Sequence, residues 1–166
     1  MNPAIQIRRA VPADVEAITA IYNEAILTTT ATFDTEPKTT AERLEWLKAH
    51  DERHPILVAV VEGTIAGWTS LSRWSDRPAY DDTAETSFYV QSEYRGRGIG
   101  RILKEAIIQE ARRLHFHTLI ARVAEGSQVS LHLNESAGFM HVGTMKQVGR
   151  KFGKLLDVHI LQKMLE

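Results

Sequence analysis

A cluster of glycines and arginines at residues 95–101 has the composition of an anion-binding loop. A short run of β-type residues, 86–90, precedes it, and apolar residues at helical spacing over 99–114 follow it. The start of such a helix presents unpaired backbone N–H groups and the positive end of the helix dipole. Glycine lets a backbone approach a ligand closely, and arginine adds positive charge. The segment therefore predicts a site for an anion, and in particular for a pyrophosphate, formed by Arg95, Gly96, Arg97, Gly98, Ile99, Gly100 and Arg101.

Three loop motifs and one structural alternative compete for this segment. A P-loop requires two glycines five positions apart followed by Lys and Ser or Thr, which Gly98-Ile99-Gly100-Arg101 does not supply. A Rossmann loop requires G-x-G-x-x-G and an acidic residue about twenty positions later, whereas the next strand offers Arg122. The segment resembles the R/Q-x-x-G-x-G/A loop of the GNAT acyltransferase superfamily, which holds the pyrophosphate of acetyl-CoA. The remaining alternative is a glycine-rich surface turn that caps an ordinary helix.

The composition bounds the possible functions. With 166 residues, 43% of them hydrophobic and 25% charged, the chain has the length of one domain spanning residues 1–166. The net charge of −1 provides no general attraction for nucleic acid or a membrane surface, so we expect neither as a partner. Because the chain has no cysteine, acyl transfer must be direct or use another nucleophile. Residues 1–10 lack the apolar core of a signal peptide, and no run is long enough to span a bilayer, so we expect a cytoplasmic location.

Hydrophobic periodicity and turn residues predict the order of the elements. Thr39 and Glu42 have the spacing of a capping box, which marks the start of the second helix, and Gly138 stands where a C-terminal cap glycine is expected. The predicted helices are 14–27, 40–49, 99–114 and 130–137. The predicted strands are 5–9, 56–61, 64–71, 86–90, 118–123, 140–148 and 155–164, and the main connections are loops 28–37 and 73–82 and a basic turn 149–153.

This order, β-α-α-β-β-β-α-β-α-β-β, is similar to that of the GNAT fold over nearly the whole chain. The resemblance implies an α+β (α/β layered) fold with a central mixed, mostly antiparallel β-sheet, splayed middle strands and flanking helices. Four separated segments, 35–37, 77–80, 83–85 and 151–157, resemble the phosphinothricin / methionine sulfone (sulfoximine) N-acetyltransferase group. The resemblance implies acetyl-CoA as co-substrate and direct transfer of its acetyl group to the amino group of a small amino-acid-like acceptor.

Acetyl transfer to an amine needs a base, because an α-amino group with a pKa of about 8 is largely protonated at neutral pH. The resemblance makes Glu85 that base, directly or through a water; the alternative is a solvated acid at a strand end. The superfamily has Asn at the start of the last helix and an acid, Tyr or His, seven residues later, and here these positions hold Ser127 and Asn134. The Asn134 amide can donate a hydrogen bond to a departing sulfur but has no useful acid–base pKa. His132 lies about 200° away on a helix and is the second candidate; otherwise it is a surface or subunit-contact residue.

The resemblance also assigns cofactor contacts outside the glycine loop. In GNAT folds the strand before the loop separates from its neighbour and leaves main-chain amides unpaired. This assigns the main-chain groups of Phe88 and Val90 to the pantetheine arm and the thioester oxygen, with Tyr89 between them on the opposite face. Ser127, at the start of the last helix, completes the predicted cofactor set.

The acceptor is expected to be an anion or a zwitterion. Predicted contacts for its carboxylate and the surrounding wall are Arg77, Lys151, Lys154, Ser75, Asp76, Thr86, Ser87 and Phe33, with Glu85 at its amino group. The alternative is a solvated surface, because arginine and lysine side chains in loops are usually solvated. The group contains homodimers, so we expect a homodimer whose basic turn could complete the neighbouring subunit's site. The histidines form no metal-ligand spacing, so we expect no metal.

Two other functions fit the same fold. A protein N-terminal or lysine acetyltransferase needs an open groove, whereas the long loops 28–37 and 73–82 favour an enclosed small acceptor. A non-catalytic acetyl-CoA-binding module is suggested by Ser127 and Asn134 at the positions of the usual residues. The missing acid is only a modest objection to catalysis, because a thiolate with a pKa of about 8.5 can depart without full protonation.

The Glu85→Gln substitution tests the assignment of the base. It removes the proton-accepting carboxylate and keeps the size of the side chain. Turnover should therefore fall by about 10²-fold or more, while the affinity for acetyl-CoA stays nearly unchanged. Steady-state kinetics and a cofactor titration measure the two quantities, and unchanged turnover would remove Glu85 from the mechanism.

Overall fold

The computed structural model describes residues 3–166, which form one seven-stranded sheet with helices on both faces. The helices are α1 (Val15–Thr28), α2 (Thr40–Ala49), α3 (Ile99–Arg113) and α4 (Gln128–Ser136). The strands are β1 (Ile5–Arg9), β2 (Ile56–Val61), β3 (Thr64–Arg73), β4 (Thr83–Val90), β5 (Thr118–Ala124), β6 (Met140–Lys151) and β7 (Lys154–Met164). Within the described part of the chain, no helix combines the length and apolar character needed to cross a membrane.

The sheet has the strand order β1-β2-β3-β4-β5-β7-β6. Every neighbouring pair is antiparallel except β4 and β5, which are parallel, so the prediction of a mixed, mostly antiparallel sheet is confirmed. Pairing between β4 and β5 runs only from Thr83 with Thr118 to Glu85 with Ile120. Beyond this point the two strands separate, which confirms the predicted splay and opens a gap in the middle of the sheet.

Each face of the sheet is covered by a different pair of helices. On one face, Ile18 and Ile21 of α1 pack against Val58 and Trp68 of β2 and β3. On the other, Leu103 of α3 belongs to a buried cluster with residues of β2 and β3. Because successive strand residues point to opposite faces, β4 sends alternate side chains toward the two helix layers. The side chains of β4 are therefore divided between α1 on one face and α3 on the other.

Local signals placed the helix ends well. Thr39 and Glu42 form the predicted capping box, with Glu42 N–H donating to Thr39 Oγ1 at 3.1 Å and Thr39 N–H donating to Glu42 Oε2 at 2.7 Å. Gly138 follows α4 with a φ of +93°, which an L residue adopts only with strain. Helix α4 begins at Gln128, two residues before its predicted start.

The predicted basic turn at residues 149–153 is wrong in its extent. Strand β6 continues through Lys151, which pairs with Lys154 of β7. The turn is confined to Phe152 and Gly153, which have φ values of +51° and +74°. Cross-strand pairing with β7 overrides the low strand propensity of Gly149, where the ladder shifts register. For the same reason β4 begins at Thr83 rather than at residue 86. Residues 83–85 pair with β5, and residues 84–85 also pair with β3.

The close approach of β3 to β4 requires a glycine at position 67. A Cβ added there would lie 2.8 Å from the Tyr89 carbonyl oxygen and 3.0 Å from Leu103 Cδ1. Gly67→Ala should therefore lower the free energy of unfolding by about 1–3 kcal/mol, because backbone must move to relieve the contact. Gly143→Ala is the matched control, since an added Cβ there meets no atom within 4 Å. Urea denaturation of both variants measures the difference, and equal stabilities would contradict this account of the packing.

Candidate active site

The loop between β4 and α3 exposes the amino end of α3. Gly96 and Gly98 have φ values of +76° and +81°, so both adopt the left-handed conformation that favours glycine. Gly98 is the N-cap of α3, and no side chain caps the first-turn N–H groups. These donors and the helix dipole favour an anion at this position. Of the loop residues predicted from the sequence, all but Arg97 line the adjoining cleft; the Arg97 guanidinium instead stacks 5.2 Å from the Tyr94 ring centroid.

The cleft occupies the gap between β4 and β5 and has a volume of about 1520 Å³. Its walls also include the start of α4 and the β6–β7 hairpin. The N–H of Gln91 donates to Ala66 O of β3 at 2.8 Å. Because main-chain groups alternate in direction along a strand, those of Phe88 and Val90 point away from β3, toward the cleft. This is the orientation on which their predicted cofactor contacts depend.

A second cavity, of about 570 Å³, lies on the α1 face of the sheet. Its lining is Tyr22, Thr30, Ala31, Thr32, Phe33, Asp34, Glu85, Ser87, Tyr89, Arg122, Ala124, Met145, Val148 and Val158. Ser87, Tyr89 and Arg122 also line the large cleft, so the two cavities meet at the splay. A group held in the cleft can therefore reach a molecule held in the smaller cavity. We call the smaller cavity the acceptor cavity.

Glu85 lies in the acceptor cavity and is held by an arginine that the sequence did not identify as a site residue. Arg122 of β5 donates from Nε to Glu85 Oε2 and from Nη2 to Glu85 Oε1, the latter at 2.8 Å. The hydrogen bond to Glu85 raises the pKa of the Arg122 guanidinium above its ordinary value. The Arg122 side chain is 53% exposed and that of Glu85 16%, so the pair is accessible from the cavity. The only sequence signal was an arginine in a strand of otherwise apolar residues.

The structure separates the candidates near the last helix. Asn134 is 2% exposed and lines the cleft, as Ser127 does. Asn134 Nδ2 donates to Ser130 O at 2.9 Å, and its Oδ1 is buried without a partner among the described residues. His132 lies outside the lining of both cavities, on the exposed side of α4, where its ring contacts Ser136 Oγ at 3.4 Å. The helical rotation between positions 132 and 134 accounts for this difference.

The predicted acceptor residues divide into three sets. Phe33, Glu85 and Ser87 line the acceptor cavity, while Thr86, Lys151 and Lys154 line the cleft. Ser75, Asp76 and Arg77 line neither cavity, because the connection after β3 carries them out to the surface. Lys151 is buried and donates to Thr32 O at 2.8 Å, and burial lowers its pKa. It therefore ties the β6–β7 hairpin to the loop at residues 28–37.

A buried polar cluster forms the floor of the acceptor cavity. The Tyr22 hydroxyl donates to Asp34, and burial together with that carboxylate raises the pKa of Tyr22 to about 12. Arg43 of α2 lies beneath it, 4.4 Å from the Tyr22 ring centroid and 3.5 Å from that of Trp46. Burial lowers the pKa of Arg43 to about 10. Sequence reasoning missed this cluster because its members come from separate segments.

Lys104 was also missed, and here the sequence did carry a signal. Its position, four residues after Gly100 and three before Ile107, places it in the apolar stripe of α3. The side chain is buried and lines the cleft. Burial lowers the pKa of Lys104 to about 7. Among residues 3–166, no group of three or more His, Cys, Asp and Glu side chains is arranged to hold a metal ion.

The sequence model of the acetyltransferase (GNAT) family matches residues 18–139. The chain belongs to the acetyltransferase (GNAT) family. It is 37% identical to an L-methionine sulfoximine/L-methionine sulfone acetyltransferase of Salmonella typhimurium, with 96% of this chain and 94% of the relative covered. The predicted fold, the acetyl-CoA-dependent acyltransferase activity and the resemblance to this group are thereby confirmed.

Two solved structures of this fold are also close in sequence. A phosphinothricin acetyltransferase from Sinorhizobium meliloti in complex with AcCoA superposes with a TM-score of 0.94 at 33% identity, covering 97% of this chain and 88% of that one. A ribosomal-protein-alanine N-acetyltransferase from Brucella melitensis also has a TM-score of 0.94, at 40% identity, covering 96% of this chain and 99% of that one. Both have the GNAT architecture over nearly their whole length.

The residues of the cleft fit acetyl-CoA. The uncapped amino end of α3 suits the pyrophosphate, and Gly100 leaves room beside it, since a Cβ there would lie 3.1 Å from Leu133 Cδ1 and 3.4 Å from Phe88 Cε2. The unpaired main-chain groups of β4 suit the amides of the pantetheine arm. Asn134 Oδ1, a buried acceptor without a partner among residues 3–166, suits an amide N–H. When bound, the co-substrate supplies a thioester whose acetyl group can be transferred.

Gly98 should matter through its backbone conformation. A Cβ added at Gly98 meets no atom within 4 Å, so a substitution there does not crowd its neighbours. The backbone φ of +81° is what makes an L side chain unfavourable at this position. Gly98→Ala should cost about 1–2 kcal/mol in that conformation, shift the loop and weaken acetyl-CoA binding. Gly63→Ala is the control, because Gly63 has a φ of +82°, equally open surroundings and no place in either cavity. Calorimetric titration should show weaker binding only for Gly98→Ala; equal affinities in the two variants would argue against this role.

Proposed function

We propose that this protein transfers the acetyl group of acetyl-CoA directly to the amino group of a small amino-acid-like acceptor. The observation that carries the proposal is the meeting of two cavities at the splay of β4 and β5. One is long and ends at an anion-binding helix terminus, and the other is small and contains the Glu85–Arg122 pair. The relatives named for methionine sulfoximine, methionine sulfone and phosphinothricin support this acceptor class.

Each cavity residue has a defined role in this proposal. Glu85 takes one proton from the acceptor ammonium, directly or through a water, and the second proton, which the nitrogen loses as the amide forms, passes to solvent. The main-chain N–H groups exposed by the splay hold the acyl oxygen. The acyl carbon forms a bond to the acceptor nitrogen as its bond to sulfur breaks, and sulfur keeps the electron pair. Asn134 gives one of its two N–H groups to Ser130 O and has no useful acid–base pKa, so its contribution is the acceptor oxygen Oδ1 rather than an acid. His132 has no part in this mechanism.

The charges of the acceptor cavity favour a zwitterion. Glu85 offers negative charge to an ammonium, and Arg122 offers positive charge to a carboxylate or another anionic group. Phe33, Tyr22 and Tyr89 provide apolar walls, and the volume of about 570 Å³ suits a molecule of amino-acid size. Arg122 thus takes the role that the sequence assigned to Arg77, which lies outside the cavity.

We propose a homodimer in which β6 of one subunit meets its partner. Strand β6 ends the sheet, and it exposes apolar side chains at Met140, Val142 and Val148. Phe152, at the tip of the adjoining hairpin, is also exposed. An apolar sheet edge of this kind is suited to association with another copy. The cytoplasmic location stays a prediction from the sequence.

The test is thiol release from acetyl-CoA against an acceptor panel. The panel holds phosphinothricin, methionine sulfoximine, methionine sulfone, the common amino acids, a polyamine and a peptide that begins with alanine. Turnover on the amino-acid-like compounds is expected, and Arg122→Met should raise KM for them more than it lowers kcat, because Arg122 binds the acceptor anion in both ground and transition states.

The panel also separates the second candidate function. The Brucella melitensis structure favours a protein amino terminus as acceptor. Turnover on the alanine peptide alone would support that function and contradict the small-acceptor proposal. Binding of acetyl-CoA with no turnover on any amine would instead support a non-catalytic acetyl-CoA-binding module.

A further inference from the structure

Lys104 is a buried lysine that lines the cleft. Its side chain is only 1% exposed, although lysine is rarely buried without a partner. Its Nζ donates to Thr86 Oγ1 at 2.7 Å and lies 4.0 Å from the centroid of the Phe139 ring. The ammonium thus contacts a hydroxyl and an aromatic face, and both contacts favour the charged form.

No carboxylate of the described chain, residues 3–166, forms an ion pair with Lys104, and burial lowers its pKa. Charged groups on the elements packed against α3 are paired elsewhere or exposed to solvent. Glu85 of β4 is held by Arg122 on the opposite face of the sheet. The remaining charged side chains on these elements form ion pairs: Arg8 with Asp14, Arg9 with Glu52 and Glu110, and Arg73 with Asp51 and Asp81. Glu135 of α4 is exposed.

An ammonium buried without an anion destabilises the folded chain. This cost is reflected in the pKa of Lys104, which falls from 10.5 to about 7. A ligand that brings negative charge into the cleft would remove the cost. The position of Lys104 therefore indicates where in the cleft an anion is stabilised, in addition to the phosphate end at the start of α3.

The geometry identifies that anion. Thr86 is the first residue of β4 beyond its last pair with β5, at the point where the splay begins. Ser87, the next residue, lines both the cleft and the acceptor cavity. The thioester must lie here if its acetyl group is to reach an acceptor beside Glu85. A sulfur on the α3 side of this point would be within reach of Thr86 and Lys104, which line the cleft there.

Thr86 can connect the two groups. A protonated Lys104 has no acceptor atom, so the Thr86 oxygen accepts its hydrogen bond. The hydroxyl hydrogen of Thr86 is then free to donate to another atom. Because Thr86 lines the cleft, that hydrogen can point to the sulfur.

We propose that Lys104 supplies the positive charge that stabilises the thiolate released from acetyl-CoA, acting on the sulfur together with the Thr86 hydroxyl. The inference rests on the proposed function and adds a leaving-group residue to it. It requires no proton transfer: sulfur keeps the electron pair of the broken bond, and Lys104 keeps its proton. It also explains how the reaction proceeds with Asn134 at the position of the acid.

The test measures the pKa of the CoA thiol in the complex of the protein with CoA. The ultraviolet absorbance of the thiolate is recorded as the pH is raised. With the wild-type protein the thiol pKa should lie about one to three units below that of free CoA, as expected beside a cation. Lys104→Met should return it to the value of free CoA, and Thr86→Val should reduce the shift. Arg112→Met is the matched control, because it removes a positive charge from α3 at a residue outside both cavities.

Lys104→Met should fold, because an apolar side chain of similar size replaces an unpaired buried charge. A second measurement follows from the lowered pKa. Between about pH 7 and 10.5 the unfolded chain binds more protons at Lys104 than the folded chain, so unfolding free energy rises with pH in the wild type. The Lys104 contribution to this rise should be absent in Lys104→Met.

Two results would overturn the inference: an unshifted thiol pKa in the wild-type complex, or the same lowered thiol pKa in wild type and Lys104→Met. Failure of the wild-type protein to bind CoA at all would overturn the proposed function instead. CoA binding with an ordinary thiol pKa would leave the proposed function standing and remove only the role of Lys104.

Discussion

Strands β4 and β5 are hydrogen-bonded only from Thr83 with Thr118 to Glu85 with Ile120, and the site depends on the point where this pairing ends. Main-chain groups of a sheet interior are normally paired, and leaving them unpaired away from water is costly. In this protein the remainder of β4 is held on one side by β3, up to the pair of Gly67 with Val90. Its other side is free to bind a ligand. The splay therefore gives a rigid strand with one edge available, and the helix terminus at Gly98 continues that edge toward the phosphates.

The alternation of side chains on β4 distributes charge across the two sides of the sheet. Glu85 points to the α1 face, where it meets Arg122, and Thr86 points to the α3 face, where it meets Lys104. Neighbouring positions of one strand thus reach two separate electrostatic environments. In the proposed reaction, deprotonation of the acceptor and stabilisation of the leaving sulfur occur on opposite sides of the splay. In this proposal the thioester lies between the two environments.

The acceptor cavity is connected to the far edge of the sheet. Lys151 of β6 donates to Thr32 O, and Gly149 lies so close to Phe33 that an added Cβ would be 2.1 Å from the ring. These contacts fix the loop at residues 28–37 against the β6–β7 hairpin. Any association of two copies through β6 would therefore bear directly on the wall of the cavity. The tight contact at Gly149 gives a packing reason for a glycine in the middle of a long strand.

The sequence by itself determined the elements, their order and the anion-binding loop, because periodicity, caps and glycine spacing are local properties. It also brought Glu85, Ser87 and Asn134 into consideration through motifs, and the structure places all three in the cavities. Tertiary structure decided which charges face one another. Arg122 of β5 binds Glu85 of β4, and Lys104 of α3 binds Thr86 of β4. Arg77 and His132 line neither cavity. Such pairings depend on the register of the sheet and on helix packing, which join residues distant in the chain and leave no local pattern to detect.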